Sequence, residues 1–238
     1  MARGGANLKL AAAGPRPYHR HMTNFTIILG NKNYSSWSLR AWLALEATGA
    51  EFGEIVIPLW LDGATEQILA HSPSGKVPAL RHGDHVVWES LAICEHLAEA
   101  FPDAGLWPAD PAARAAARSV SNEMHAGFMA LRRAMPMNCR ATKPGKGMTD
   151  GVAADVERVT GIWRDCRARF GAGGALLFGE FTIADAMFAP VASRFRTYGV
   201  PLDPVSAAYV EALHALPAMR TWLAAAKAEP QIVDHFEI

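Results

Sequence analysis

Residues 72–80 have the sequence SPSGKVPAL, and residues 86–91 follow with VVWESL. The first stretch runs extended into a proline, which predicts a tight turn before a strand and favours a cis X-Pro bond. The Val77 backbone then faces a cleft instead of pairing within its own sheet. Glu89 and Ser90 stand where a strand ends and a helix begins, so their N–H groups and the Ser90 hydroxyl can hold a carboxylate. Together the two stretches predict a receptor for a small extended peptide.

The composition indicates a soluble globular protein. Half of the 238 residues are apolar, enough for one large or two small domains. Positive and negative side chains balance at 23 each, so bulk charge indicates neither a nucleic-acid nor a membrane-surface partner. No apolar run approaches the roughly 20 residues that a membrane span needs. Cys94, Cys139 and Cys166 lack disulfide or zinc spacing, which favours a reducing cytoplasm and no metal.

Residues 1–21 do not follow the pattern of a folded domain. They contain no acidic residue and lack the apolar core of a secretory signal. We interpret them as a leader or disordered extension. An organelle transit peptide is one possibility and an upstream start is the favoured one, with Met22 as the natural first residue.

The next part of the chain alternates between strand and helix patterns. The apolar run at residues 25–29 predicts a strand, and a polar loop leads into a helix that ends near Gly49. Further predicted elements are a strand at 54–57, a helix at 65–69, a hairpin of 79–81 with 86–88, and a helix over 91–101. The order β-α-β-α-β-β-α is that of a thioredoxin-like domain, which we place at residues 22–103.

A linker with Pro108, Pro111 and Gly105 follows at residues 104–111, and residues 112–238 are helical almost throughout. One helix carries an apolar stripe of Val152, Val156, Val159, Trp163, Cys166 and Phe170. Another begins at a capping box of Thr182 and Asp185. We assign Asp185 a structural role and not a catalytic one.

The sequence VPAL at residues 77–80, followed by Glu-Ser at 89–90, closely resembles the glutathione-binding half of the cytosolic glutathione transferases. The resemblance extends over nearly all of the chain from residue 25, with specific motifs in the first domain and mostly architecture in the second. It implies an α/β thioredoxin-like N-terminal domain followed by an all-α C-terminal domain. It also implies glutathione as co-substrate, a small electrophilic second substrate, no metal, and a homodimer.

The loop before the first helix offers four hydroxyls, at Tyr34, Ser35, Ser36 and Ser38. Residues 35–40, SSWSLR, resemble the zeta-class motif SSCSWR at both leading serines, the third serine and the arginine. The resemblance implies that Ser35 activates the glutathione thiol. Trp37 replaces the cysteine of the motif, which argues against mixed-disulfide chemistry. Tyr34 and Ser36 remain rival activators. A further alternative is that the serines only cap the helix.

The same resemblance implies the remaining glutathione contacts. It places the Val77 main chain against the cysteinyl part, Glu89 and Ser90 against the γ-glutamyl group, and Lys76 near the glycyl end. Ser36 is a further predicted contact. An ordinary solvated side chain is the alternative for Lys76.

The second substrate is expected between residues 31–34 and the first long helix of the second domain. The side chains predicted to line it are Met124, Phe128, Arg132, Met135 and Met137. The alternative is that these side chains simply belong to the core. Arg132, Arg133 and Arg140 either attract an acidic electrophile or form a solvated face. His71, His82 and His85 are expected in surface turns.

These predictions favour a detoxifying transferase that joins the glutathione thiolate to small hydrophobic electrophiles. A glutathione-dependent cis–trans isomerase of the zeta, maleylacetoacetate, type is the nearest alternative. The same fold also serves non-catalytic binding or regulatory proteins.

Overall fold

The computed structural model describes residues 25–237, so the leader predicted at residues 1–21 lies outside the described residues. The first part consists of β1 (Phe25–Leu29), α1 (Ser36–Glu46), β2 (Phe52–Val56), α2 (Ala64–Leu69), β3 (Ala79–His82), β4 (His85–Trp88) and α3 (Ser90–Ala100). The second part consists of α4 (Pro111–Ala126), α5 (Met129–Ala134), α6 (Asp150–Phe170), α7 (Ile183–Tyr198), α8 (Pro204–Ala215) and α9 (Pro217–Ala228). Short 3-10 turns occur at Pro102–Ala104 and Asp234–Phe236. This order confirms the predicted fold class.

The four strands form one sheet in the order β2-β1-β3-β4. β1 runs parallel to β2 and antiparallel to β3, and β3 and β4 form the predicted hairpin. The predicted start of β2 at residue 54 is wrong. The strand begins at Phe52, because the whole length of β1 pairs with it from Phe25 onward. The Val77–Pro78 peptide bond just before β3 is cis, as predicted.

Helix α1 joins the two parts of the molecule. It packs against α3 of the first part and against α7 and α9 of the second part. Nine of its eleven residues are buried, and α7 is buried over nearly its full length. The loop that leads into α1 therefore lies where the sheet domain meets the helical domain.

The helix ends in the second part follow the sequence signals. The predicted capping box at α7 is present, with Thr182 as N-cap and Asp185 as its partner. Helix α6 ends before Gly171 as expected, and its stripe is buried at Val152, Val159, Trp163 and Cys166. Among residues 25–237, no helix combines the length and the apolar content needed to cross a bilayer.

Candidate active site

The serine loop lies at the start of α1. Ser35 is the N-cap of this helix, and its hydroxyl oxygen accepts a hydrogen bond from the Ser38 N–H at 3.3 Å. The Ser35 hydroxyl donates to Ser38 Oγ at 2.8 Å, and Ser38 Oγ also accepts from the Gly30 N–H at 3.0 Å. The chain of bonds fixes the loop between β1 and α1. Ser35 is buried, at 5% exposed, but it lines a cavity.

Two adjoining cavities meet at this loop. The first cavity, of 370 Å³, is lined by Trp37, Lys76, Val77, Pro78 and Glu89. The second cavity, of 250 Å³, is lined by Tyr34, Ser35, Ser36, Trp37, Leu59, Trp60, Val77, Arg132, Pro136, Met137, Arg194 and Phe236. Because Trp37 and Val77 line both, a ligand in the first cavity can reach toward Ser35 in the second.

The predicted glutathione contacts lie around the first cavity. The ladder of β3 and β4 starts only at Ala79, so Val77 is outside the sheet register and its backbone is available to a ligand. Glu89 has a left-handed backbone, with φ 70°, directly before α3. Backbone strain of this kind is enriched at ligand-binding sites, which makes Glu89 a candidate contact.

Ser90 is the first residue of α3 and is 0% exposed. Its hydroxyl has no hydrogen-bond partner within the described part of the chain. Ser90 lies next to Glu89 but is not itself among the residues that line the first cavity. A buried hydroxyl without a partner at a helix N-terminus is suited to an incoming carboxylate.

Tyr34 is occupied by other parts of the protein. Its hydroxyl donates to Glu237 Oε1 at 2.7 Å and accepts from Arg140 Nη2 at 2.8 Å and from the Val233 N–H at 3.2 Å. These partners belong to, or adjoin, the C-terminal segment, residues 229–237. Tyr34 therefore anchors this segment. Ser36, by contrast, has no side-chain hydrogen bond to any described residue.

The C-terminal segment closes over the serine loop. The Glu229 carboxylate accepts from the Lys32 N–H at 2.6 Å and from the Asn33 N–H at 2.9 Å. At the other end, the Phe236 ring lines the second cavity and stands edge-on to Trp60, with centroids 4.8 Å apart. Burial opposes the charge on Glu237, but hydrogen bonds from Tyr34 and Asn138 and the nearby Lys143 and Arg140 hold the pKa of Glu237 below its ordinary value.

We expect Tyr34→Phe to loosen the C-terminal segment without changing the chemistry at sulfur. The variant leaves Glu237 without its phenol donor, so we expect a loss of about 1–3 kcal/mol in the free energy of unfolding. Hydrogen exchange of residues 229–237 should rise, and the pKa of bound glutathione should stay within about 0.3 units of wild type. A strong increase in that pKa would instead assign activation to Tyr34.

A cationic wall that the sequence analysis only partly predicted borders the second cavity. Arg132 and Arg194 both line it. Arg194 Nε donates to the Met135 carbonyl at 2.8 Å, while its Nη1 has no partner in residues 25–237. Burial lowers the pKa of Arg194 to about 9, with a smaller contribution from Arg132, so it remains charged at neutral pH.

Arg40 lies behind this wall and is 0% exposed. None of its three guanidinium nitrogens has a partner among the described residues, and its guanidinium carbon lies 4.4 Å from the centroid of the Trp37 ring. Burial lowers the Arg40 pKa, and Arg132 and Arg194 lower it further. None of these three guanidinium groups forms an ion pair with a carboxylate among residues 25–237, although the nearby Asp155 partly opposes the lowering of the Arg132 pKa. This side of the site therefore favours an anion.

Other sequence predictions fare unevenly. Of the five side chains expected to line the second-substrate site, Arg132 and Met137 do so, whereas Met124, Phe128 and Met135 are core residues. Arg133 and Arg140 do not line the second cavity. The placement of His82 and His85 in surface turns is wrong, and His85 is the first residue of β4. His82 departs further from the expectation. It belongs to β3, is half-buried against Phe25 and lies 3.0 Å from a ring nitrogen of His96.

No protein thiol competes for the role of nucleophile in the described part of the chain. Cys94 and Cys166 are buried and Cys139 is half-buried. Burial raises the pKa of each thiol to about 12, so none is ionised at neutral pH. Residues 25–237 also contain no group of three or more histidine, cysteine or acidic side chains arranged to hold a metal ion.

Comparison with known proteins identifies the family. Residues 34–100 match the profile of the glutathione S-transferase N-terminal domain, and residues 149–225 match that of the C-terminal domain. The chain belongs to the glutathione S-transferase family. The resemblance stated from the sequence is thereby confirmed.

Individual relatives indicate which class within the family this chain resembles. The chain is 29% identical over 170 residues to a probable maleylacetoacetate isomerase of Caenorhabditis elegans, covering 71% of this chain and 78% of the relative. It is 25% identical over 202 residues to glutathione S-transferase Z2 of Arabidopsis thaliana, covering 79% and 88%. A glutathione transferase homolog from Burkholderia, crystallised with bound glutathione, superposes with a TM-score of 0.67 at 25% identity and covers 87% of this chain and 100% of that one. These relatives agree with a zeta-like member of the family.

Proposed function

We propose that the protein is a glutathione transferase in which the Ser35 hydroxyl holds the glutathione sulfur as a thiolate. The observation that carries the proposal is the position of Ser35 in the second cavity, which adjoins the first at Trp37 and Val77. A tripeptide in the first cavity brings its sulfur to Ser35. The second cavity then leaves room for an electrophile beside the sulfur.

The energy required is within the reach of one hydroxyl. A free thiol has a pKa of about 8.5, so only a few per cent is ionised at pH 7. Lowering the pKa by about two units requires about 2.7 kcal/mol of preferential stabilisation of the anion. A hydrogen bond to a charged group contributes about 1.5–3 kcal/mol, and the N-terminus of a helix such as α1 adds about 0.3–1 kcal/mol. The two effects together are sufficient.

The serine pair supports this role through a proton rearrangement. Without ligand, the Ser35 hydroxyl donates to Ser38 Oγ. Hydroxyl groups rotate freely to serve either as donor or as acceptor. When a thiolate arrives, Ser35 turns its proton to the sulfur and Ser38 donates to Ser35 Oγ in return. The Ser38 hydroxyl therefore supports the donor without touching the substrate.

The lining of the first cavity suggests contacts for the other parts of glutathione. The Val77 main chain pairs with the cysteinyl backbone, and Glu89 receives the γ-glutamyl amino group. The buried Ser90 hydroxyl, which has no partner among the described residues, receives the γ-glutamyl carboxylate together with the N-terminus of α3. Lys76, exposed at the rim, is placed for the glycyl carboxylate, and Ser36 for a contact near the sulfur.

A conjugation assay tests the proposal. We expect the protein to consume the thiol of glutathione in the presence of a small aryl halide or α,β-unsaturated carbonyl. S-methylglutathione, which has no nucleophilic thiol, should occupy the site and inhibit. A non-catalytic binding protein would bind both peptides and turn over neither, which would overturn the enzymatic proposal while leaving the fold intact.

The isomerase of zeta type is a second candidate that the cationic wall specifically favours. Arg132 and Arg194 line the second cavity, and Arg40 adds a third positive charge behind Trp37. Buried cations of this kind are costly unless an anion comes to them. An electrophile with a carboxylate, such as a maleyl compound, supplies that anion.

We expect Arg194→Met to separate acidic from neutral substrates. Loss of the guanidinium should lower kcat/KM for a maleyl diacid by about tenfold or more, because a charge-assisted contact is lost. A neutral electrophile should change by less than about threefold. The free energy of unfolding should change little, since removal of a buried charge offsets the loss of the hydrogen bond from Arg194 Nε to the Met135 carbonyl.

The matched control is Arg133→Met, because Arg133 is an exposed arginine that lines neither cavity. It should leave both substrates unaffected. Equal losses for acidic and neutral substrates in Arg194→Met would contradict a role in recognising a carboxylate.

Further properties rest on family membership. Glutathione transferases are commonly cytoplasmic homodimers with a role in detoxification, and we propose these properties for this protein on that ground. Light scattering of the purified protein tests the dimer.

A further inference from the structure

The serine loop, which connects β1 to α1 over residues 30–35, is held in place by the helical domain. It is buried although it is polar, since Asn31 is 1% exposed and Asn33 is 0% exposed. Within the loop, the Ser35 N–H donates to the Asn31 carbonyl at 2.8 Å. This bond ties the serine to the residues just before it. The position of the Ser35 hydroxyl therefore depends on what holds residues 31–33.

Glu229 provides the contact to the backbone of this loop. It directly follows α9, and its two carboxylate oxygens accept from two successive amides, the Lys32 N–H at 2.6 Å and the Asn33 N–H at 2.9 Å. Neither amide donates to a backbone carbonyl among the described residues. One carboxylate thus supplies the acceptors that a strand or helix partner would otherwise give. Hydrogen bonds to a carboxylate are stronger than those between neutral groups, so this contact restrains the loop firmly.

Other bonds to the loop come from residues of the helical core. Trp222 Nε1 donates to the Lys32 carbonyl at 2.9 Å. The Asn33 side chain donates to Asn138 Oδ1 at 3.1 Å. Trp222 is 0% exposed and Asn138 is 1% exposed, so replacing either one would disturb the core as well as the loop. Glu229 is half-buried and lies outside the core, which makes it the contact that can be changed without repacking.

We infer that Glu229 is a positioning residue for thiol activation, because its carboxylate fixes the serine loop so that the Ser35 hydroxyl stays within hydrogen-bond distance of the glutathione sulfur. This inference rests on the proposed function of Ser35. Glu229 lines neither the first nor the second cavity, so it acts through the loop and not by touching either substrate. The helical domain thereby contributes to the acidity of a thiol that is bound by the sheet domain.

The charge of Glu229 and its positioning role predict opposite effects on the thiol. A negative charge near a thiolate opposes its formation, so removing that charge alone would lower the pKa of bound glutathione or leave it unchanged. Loss of positioning weakens the hydrogen bond from Ser35 to the sulfur and raises the same pKa. The direction of the shift therefore distinguishes the two roles.

The test is an ultraviolet pH titration of the glutathione complex of Glu229→Ala, together with steady-state kinetics from pH 6 to pH 10. We expect the pKa of the bound thiol to rise by about one unit, which lowers kcat/KM at pH 6.5 by about fivefold and leaves it unchanged above about pH 9. Glu229→Gln keeps one acceptor oxygen and should give a smaller rise. The affinity for S-methylglutathione should change by less than about twofold, since the peptide contacts lie elsewhere.

Glu237→Gln is the matched control. Glu237 holds the other end of the C-terminal segment through the hydroxyl of Tyr34 and not through an amide of the serine loop. This variant should leave the pKa of the bound thiol within about 0.3 units of wild type. The double variant Ser35→Ala/Glu229→Ala should show the same pKa as Ser35→Ala alone, because no hydroxyl is left for Glu229 to position.

An unchanged or lowered thiol pKa in Glu229→Ala would overturn the inference, and a raised pKa in Ser35→Ala would show that the proposed function survives it. An equal rise in Glu237→Gln would also overturn the inference, since general loosening of the segment would then explain the effect. So would a further rise in the double variant, which would show that Glu229 acts by a route other than Ser35. If neither Ser35→Ala nor Glu229→Ala raises the pKa, the proposed function fails and the inference fails with it.

Discussion

Ser35→Ala is expected to lower kcat/KM at pH 6.5 by about 10- to 100-fold, because the thiolate loses its charge-assisted hydrogen bond. The affinity for glutathione should change by less than about threefold, since the peptide contacts lie at Val77, Glu89 and Ser90. The loss should shrink as the pH rises above about 9, where the thiol ionises without help. Steady-state kinetics from pH 6 to pH 10 measure this effect.

Three variants distinguish activation from helix capping. Ser35→Gly removes the hydroxyl but costs the N-cap only a few tenths of a kcal/mol, so it should lose as much activity as Ser35→Ala with less loss of stability. Ser35→Thr keeps a hydroxyl and should keep most of the activity. Ser36→Ala should stay within about threefold of wild type. A deficit in Ser35→Ala that is the same at every pH would contradict thiol activation.

Asp185→Ala is expected to give the largest loss of stability, about 3–4 kcal/mol in the free energy of unfolding. The Asp185 carboxylate is 0% exposed and accepts from the Thr182 N–H at 2.8 Å and the Thr182 hydroxyl at 3.0 Å. It also accepts from the Leu177 N–H at 3.1 Å and the Tyr209 hydroxyl at 3.2 Å. Alanine leaves these buried donors unpaired. Urea unfolding followed by circular dichroism measures the loss.

Asp110→Ala is the matched control for this prediction. Asp110 caps α4 as Asp185 supports α7, but it is exposed, and its side chain accepts from the Ala113 N–H at 2.8 Å. Its loss should cost about 1 kcal/mol, the usual value of a helix cap. Equal losses in the two variants would show that Asp185 acts as an ordinary cap and not as the centre of a buried network.

Most of the fold could be predicted because its signals are local. The apolar run at residues 25–29, the Gly83 turn of the hairpin and the Thr182–Asp185 capping box each depend on a few neighbouring residues. The start of β2 was missed because partner pairing determines it. Phe52 joins the strand through its register with Phe25, which no local pattern at residue 52 reveals.

The candidate site could be predicted only where it coincides with motifs. The Ser35 loop, Val77 and Glu89 were predicted in this way. Arg40 and Arg194 were missed as site residues, although a charged residue in the apolar patterns of α1 and α7 was a usable signal. The C-terminal segment is held by a hydrogen bond from the Lys32 N–H to the Glu229 carboxylate, and these two residues are 197 positions apart in the sequence. Patterns in a single sequence carry no information on such contacts.

The central claim is that the Ser35 hydroxyl keeps glutathione ionised, and the pKa of the bound thiol tests it most directly. The thiolate absorbs in the ultraviolet, so a pH titration of the complex reports its ionisation. We predict a pKa about two units below the free value of about 8.5 in wild type, and a return most of the way to it in Ser35→Ala. The same pKa in both proteins would contradict the account.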